Sequence, residues 1–591
     1  MKSLKLSMVE SKFIDSTLLN RQQANIPYLT VDNFPDLGLL TSLRFLEWVS
    51  ENPDGVVSLP TGKTPEYFIK WTHYILNNWN KSELEGLRKK NGLLIDKKPS
   101  FSQLRFVQID EFYPLNSNQQ NSFYYYVNKY YIKGFGLSLD QALLIDSNKI
   151  DLGNHSNWKT VFSDMKVDLT LRYRKSKTEQ ELLQQEAIYR IDQWCADYEE
   201  KIRSMGGIGF FLGGIGPDGH IAFNIRGSNH NSTTRLLETN FETQAAAATD
   251  LGGIEISRNR LVITIGLGTI TYNPNAVAII LAAGEAKAEI VKQSLEKEEN
   301  VKYPATVLAR LKNSRFYLTI GASKKLKDTF NRYWSSSDWD IEKEQKALFN
   351  LSKKENIFGK KLTVLDLKKD PVCQSIPNLN DKTVSEIIKK IDEKVQRGIQ
   401  TEKNQTYYHT GPHHDDIMLG MMPHIIHLIR EPSNKHYFTN MTSGFTSVTN
   451  SFILKILIQT VEFIKKDKVQ MLRYSDFFNQ GYKAKWDKDV FHYLDSIANN
   501  NLIEQNRGLS HRVIRIIIDI FKIESKQNLL KLIDKIIIEL NECYDGEKNS
   551  PQIQKFKGMI REYEEELVWA NYGVLVRDID HLRLGFYQGD I

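Results

Sequence analysis

The sequence predicts an α/β fold: a Rossmann-like, doubly wound parallel sheet, then a helical linker, then a second, incomplete Rossmann-like α/β unit. Three observations predict it. Short apolar runs alternate with amphipathic stretches from about Phe45 to Thr319, glycine-rich turns follow several of those runs, and a new run with a His/Asp cluster begins at Thr406. Val56–Leu59, Phe106–Ile109, Gly209–Leu212, Leu261–Ile265 and Ala276–Leu281 read as buried strands. Glu66–Asn77 and Glu181–Ile202 carry helix-like patterns between them, the alternation of a sheet with helices on both faces. Residues 326–403 turn polar and charge-rich and read as a linker with some helix. Thr406–Thr410 and Tyr437–Met441 are the next strands, with helices at Leu419–Ile429 and Ser451–Lys466. Val513–Phe521 and Leu529–Leu540 are helical with apolar faces, and His581–Tyr587 resembles a last strand. The expected division is therefore 1–325, 326–403 and 404–591, the third part with too few strand signals to finish a sheet.

Bulk properties agree with several domains, since 591 residues exceed one ordinary core. At 41% hydrophobic and 25% charged, the composition is that of a globular chain. The net charge of +6 is spread along stretches where Lys and Glu alternate, so no basic stripe offers a nucleic-acid footprint. Cys195, Cys373 and Cys543 lie far apart, without metal or redox spacing, and read as reduced thiols of a cytoplasmic protein. No signal-peptide core opens the chain and no apolar run is long enough for a bilayer, so no membrane partner is expected.

Four constellations in the first part carry chemistry. Leu59-Pro60-Thr61-Gly62-Lys63-Thr64-Pro65 joins a strand to a helix, and such a loop aims unpaired N–H groups at one spot, which suits a phosphate. It lacks the glycine spacing of a Walker loop. Asp110 and Glu111 stand at a strand's carboxyl end, where a general base or a simple turn cap both fit. Gly213-Gly214-Ile215-Gly216-Pro217-Asp218-Gly219-His220 is the most specific. Its glycines let backbone approach a ligand, and an Asp two residues before a His can fix the imidazole's tautomer. Finally, Thr264–Thr269 and Ala283-Gly284-Glu285-Ala286-Lys287 place glycines at strand ends, with Lys287 one turn on as a phosphate contact or a solvated helix residue.

Taken in order, LPTGKTP, QIDEFYPL, GGIGPDGHIAFN, TIGLGT and AAGEAK resemble the glucosamine-6-phosphate deaminase/isomerase family over roughly Phe45 to Thr319. The related 6-phosphogluconolactonases share the Asp-Gly-His core but continue differently, and His-Ile-Ala-Phe-Asn with Asp-Glu-Phe favours the deaminase side. The resemblance implies a cofactor-independent enzyme turning glucosamine 6-phosphate into fructose 6-phosphate and ammonia. Asp110 would shuttle a proton between C2 and C1, His220 would open the ring, and Asp218 would orient His220. Thr61, Gly62, Lys63, Thr64 and Lys287 would hold the phosphate. Two departures stand out: Ile225 replaces the family's Glu, and no Arg occupies 244–249. A sugar-phosphate sensor, a lactonase-like hydrolase and an amino-sugar deacetylase remain alternatives, and a homo-oligomer is compatible with all of them.

In the third part, Gly411-Pro412-His413-His414-Asp415-Asp416 follows a strand and precedes a helix. A His and an Asp three apart can both ligate zinc, leaving the middle Asp as a base. The cluster resembles the His-Pro-Asp-Asp motif of PIG-L/LmbE-like N-acetylglucosamine deacetylases. That resemblance implies His413 and Asp416 as zinc ligands and Asp415 as base. The family's third ligand has no clear counterpart, and His511 and His581 are candidates by residue type alone.

Overall fold

The computed structural model describes residues 6–14, 22–153, 157–251, 253–544 and 546–584. In chain order, the first part contains β1 (Tyr28–Val31), β2 (Val56–Ser58), β3 (Arg105–Val107), β4 (Asp110–Tyr113), β5 (Ala142–Leu143), β6 (Phe210–Gly214), β7 (Arg235–Leu237), β8 (Leu261–Thr264), β9 (Val277–Ala282) and β10 (Asn313–Thr319). Seven of these make a parallel sheet in the order β1-β10-β9-β6-β2-β3-β5. β9 reads Val-Ala-Ile-Ile-Leu-Ala and is buried at every position, as a strand covered on both faces must be. Alternate residues feed two cores. Val57, Phe210, Leu212 and Ile279 join one, and Val56, Phe211, Ala278 and Ile280 join the other.

The sheet is doubly wound. From β2 the chain steps to β3 and β5 on one side, while β6, β9 and β10 lie on the other. The winding reverses between β2 and β6, which pair directly. Ligands of open α/β sheets bind outside the carboxyl ends of strands at such a reversal. Here those ends release the loops at Leu59–Pro65 and Ile215–Asn224.

Two strands depart from expectation. Leu261–Ile265 does not enter the main sheet: β8 pairs antiparallel with β4 and β7 in a separate sheet of three. The run Phe106–Ile109 is likewise cut, because β3 stops at Val107 and β4 starts afresh at Asp110. Gln108 stabilises the bend. Its buried amide donates to the Asp110 carbonyl (2.8 Å) and accepts from the Ile145 N–H (3.0 Å), pairing backbone groups that the ladder leaves behind.

Residues 327–399 hold the helices Lys327–Ser335, Ile341–Glu355, Val364–Lys369 and Thr383–Ile399 around Trp334, Leu348, Leu351 and Leu367. This stretch thus packs a small core of its own. Beyond it, β11 (Thr406–Gly411), β12 (Lys435–Asn440) and β13 (Ile579–His581) form a parallel sheet. Helices Asn450–Lys465, Leu502–Phe521, Lys526–Glu542 and Pro551–Asn571 pack around Ile456, Ile517, Ile533 and Phe556. The helix expected from Leu419 begins earlier, at His414, because the Asp416 carboxylate accepts the His413 N–H (2.9 Å) and caps it. Of the expected strand His581–Tyr587, residues 585–587 lie outside the described residues. Among the described residues no helix is long and apolar enough to cross a membrane.

Candidate active site

A cleft of about 260 Å³ opens at the winding reversal. Pro60, Thr61 and Thr64 line it from the loop after β2, and Asp110 and Phe112 from β4. The glycine-rich turn after β6 contributes Gly214, Gly216, Pro217 and His220, and Lys287 closes another side. Lys63 is exposed and Gly62 uses its carbonyl to accept the Tyr126 hydroxyl (2.9 Å); neither lines the cleft. Of the five residues expected to hold the phosphate, the structure therefore brings Thr61, Thr64 and Lys287 to the cavity.

Asp110 is buried, and burial followed by the neighbouring Glu111 charge raises its pKa well above the ordinary carboxylate range. Among the described residues nothing donates a hydrogen bond to its carboxylate. Glu111, next along β4, points elsewhere and is fully engaged. It accepts from the Ser122 hydroxyl (2.6 Å) and from the backbone N–H groups of Phe112 (3.0 Å), Phe123 (3.1 Å) and Tyr124 (2.8 Å). Burial outweighs these donors and pushes its pKa up to about 7. Of the adjacent acids, Glu111 is structural and Asp110 is available to a ligand.

Across the cleft, His220 Nδ1 lies 2.6 Å from Asp218 Oδ1. That contact assigns the Nδ1 proton to the Asp218 side and leaves Nε2 as the nitrogen able to take a proton. Burial acts to raise the Asp218 pKa, but His220, the Arg226 N–H (3.2 Å) and the Asn240 amide (2.6 Å) hold it well below the usual range. Asp218 thus stays ionised beside the imidazole. The glycines have a steric reason: a Cβ on Gly216 would fall 2.0 Å from the His220 ring, and Gly219 adopts φ +88°. Lys287 sits at the start of helix Ala288–Glu296, and burial lowers its pKa while Asp218 opposes the shift.

Three contributors are not apparent in the sequence. Helix Phe241–Leu251 brings Thr243, Ala246 and Ala247 to the cleft, and Thr243 Oγ1 lies 3.3 Å from His220 Nδ1. Asn240 both caps that helix, accepting the Thr243 N–H (3.0 Å), and holds Asp218. An Asn three residues before a Thr at a helix start is the one local signal for it. Phe112, Phe123 and Phe223 form an aromatic wall, with Phe223 stacked on His220 at 5.9 Å.

A buried acid facing a His/Asp pair across a phosphate-ready loop defines a class of proton-transfer enzyme acting on small phosphorylated molecules. No family model matches the chain. A glucosamine-6-phosphate deaminase of Bacillus velezensis is 27% identical over 280 residues, covering 47% of this chain and 91% of that protein. The deaminase of Borrelia garinii subsp. bavariensis is 31% identical over 207 residues, covering 35% of this chain and 72% of its own length. Among solved structures, a monomeric glucosamine-6-phosphate deaminase is 22% identical with a TM-score of 0.38, covering 50% of this chain and 98% of that one. A 6-phosphogluconolactonase from Leishmania guyanensis gives 16% and 0.31, covering 50% and 97%. The chain belongs to the glucosamine-6-phosphate deaminase family.

Proposed function

We propose that residues 1–325 convert glucosamine 6-phosphate to fructose 6-phosphate and ammonia. One observation carries this reading: Asp110, without a hydrogen-bond donor among the described residues, and the Asp218–His220 pair face one cleft at the sheet's winding reversal. In this reading Thr61, Thr64 and Lys287 receive the phosphate. His220 takes the anomeric hydroxyl proton as the ring oxygen gains one, opening the sugar. Asp110 removes the proton from C2 as O1 gains one, giving an enolamine, and returns the proton to C1 as the amine nitrogen gives one up, leaving an imine at C2. Water adds there and ammonia departs. The chemistry is proton transfer followed by exchange of ammonia for water at C2, and it uses no cofactor.

The test is ammonia release from glucosamine 6-phosphate, run beside hydrolysis of 6-phosphogluconolactone. Turnover of the lactone alone would replace this reading with a hydrolase. A pH profile adds a second check. The base works only when ionised, and burial raises the Asp110 pKa, so kcat/KM is expected to climb with pH along a limb well above the ordinary aspartate value. A limb at the ordinary value of about 4 would show that another group is the base.

For residues 404–591 we infer an amino-sugar deacetylase-like unit that is not a competent zinc enzyme, with 326–403 joining the two. His413, Asp415 and Asp416 offer donor atoms within 4.8 Å of one another. The set fits a catalytic zinc poorly. Asp416 is engaged capping its helix, and the Arg561 guanidinium lies 3.6 Å from Asp415, a positive charge where a dication would need a donor. His511 sits in the helical layer beside Asp489 at 3.9 Å, and His581 lies 3.6 Å from Glu565. Metal analysis after dialysis is expected to find well under one zinc per chain. Stoichiometric zinc that disappears in both His413→Ala and Asp416→Ala would overturn this.

A further inference from the structure

The cleft of the first part is walled by two segments that the third part touches directly. One is the segment 116–123, which follows β4, lines the cleft through Phe123 and carries two of the donors to Glu111, the Ser122 hydroxyl and the Phe123 N–H. The other is helix Phe241–Leu251, which carries Thr243 toward His220. Both meet the short connector between helices Lys526–Glu542 and Pro551–Asn571, through residues 544 and 546–548.

The contacts are specific in chemistry. The Asn116 N–H donates to the Tyr544 hydroxyl (3.3 Å), and the Asn121 amide donates to the Gly546 carbonyl (2.9 Å). Gln119 donates to Glu547 (3.3 Å) and accepts the Lys548 N–H (3.2 Å). The Tyr544 ring stands edge-on to Trp158 at 5.5 Å and packs on the apolar cluster of Phe112, Leu115, Ala247 and Leu251. Gly546 adopts φ +91°, and a Cβ there would fall 2.7 Å from the Leu251 carbonyl oxygen. The connector therefore seals the far end of the helix whose other residues line the cleft. The turn Phe445–Ser447 packs on that helix as well.

We propose that Tyr544 and Gly546 are positioning residues for the active site: the third part of the chain clamps both walls of the deaminase cleft and sets the placement of His220 and Asp110. The inference rests on the proposed deaminase reading for its kinetic consequence. The path is short. Tyr544 packs on the cluster of Phe112, against which Phe123 and Phe223 also pack, and Phe223 stacks on the His220 imidazole. Small displacements of a reacting group lower turnover steeply, while affinity set at the phosphate loop is largely unaffected.

The experiment uses full-length Tyr544→Ala, Asn121→Ala and the conservative Tyr544→Phe, with ammonia release and amide hydrogen exchange measured on each. Tyr544→Ala is expected to lower kcat about tenfold with KM within about threefold, and to speed exchange in 116–127 and 241–248 but not in β9. Asn121→Ala should act in the same direction and more weakly, and it keeps the test alive should Tyr544→Ala fail to fold. Tyr544→Phe should restore both readouts, since the ring supplies most of the packing. Unchanged exchange at both walls in a folded variant, or faster exchange with unchanged kcat, would overturn the proposal. If the unaltered protein releases no ammonia from glucosamine 6-phosphate, the deaminase reading falls and exchange alone decides whether the clamp exists.

Discussion

Asp110→Asn is expected to reduce kcat about 10³-fold while the affinity for fructose 6-phosphate stays within about threefold. Asparagine keeps the volume of the buried side chain and removes its basicity. Nothing among the described residues hydrogen-bonds the Asp110 carboxylate, so the exchange should leave no partner stranded. The proposed phosphate contacts, Thr61, Thr64 and Lys287, line the cleft from other elements, which is why binding should persist. A folded Asp110→Asn protein that retains more than about a tenth of the parent kcat would remove Asp110 from the role of base.

His220→Ala should impair ring opening, a step separate from the proton transfer that Asp110→Asn stops. With the imidazole gone, reaction of the cyclic sugar phosphate is expected to slow about a hundredfold. An open-chain analogue that cannot cyclise should lose less than about tenfold, because it skips the step His220 performs. The Asp218 carboxylate then faces an empty space, with the Asn240 amide and Arg226 N–H still in place. Steady-state rates on the two substrates decide the matter, and equal losses on both would mean that His220 serves isomerisation as well as ring opening.

Much of the first part was legible because its strands are buried on both faces. An uninterrupted apolar run as short as Val277–Ala282 fits little besides a strand covered above and below. The crowding of glycines before His220 is equally readable, because a side chain at Gly216 would collide with the imidazole. Helix Glu66–Asn77 falls where its periodicity places it. What the sequence concealed is pairing. β8 is as apolar as the main strands, and nothing local distinguishes a strand of the large sheet from one that pairs antiparallel with β4. The bend at Gln108 depends on Ile145, thirty-seven positions away, so the break between β3 and β4 has no local signature. In the cleft, the residues with unusual chemistry were readable and those with ordinary chemistry were not. Ala246 and Ala247 matter through where a helix places them, and Lys63 looked like a phosphate ligand by type alone while its side chain points to solvent.

The solitary Asp110 also bears on how the fold divides its stability. Below the unfolded-state carboxylate pKa the residue is neutral in both states and imposes no penalty. As pH rises past that value the unfolded chain gives up the proton while the folded one resists, so folding weakens until the folded-state pKa is passed. Near neutrality the first part therefore carries a standing cost at residue 110, offset by the two apolar layers around β9 and β6. A chain selected only for durability would place a neutral side chain at 110. If Asp110 is the proposed base, the acid there is where this architecture gives up robustness for reactivity.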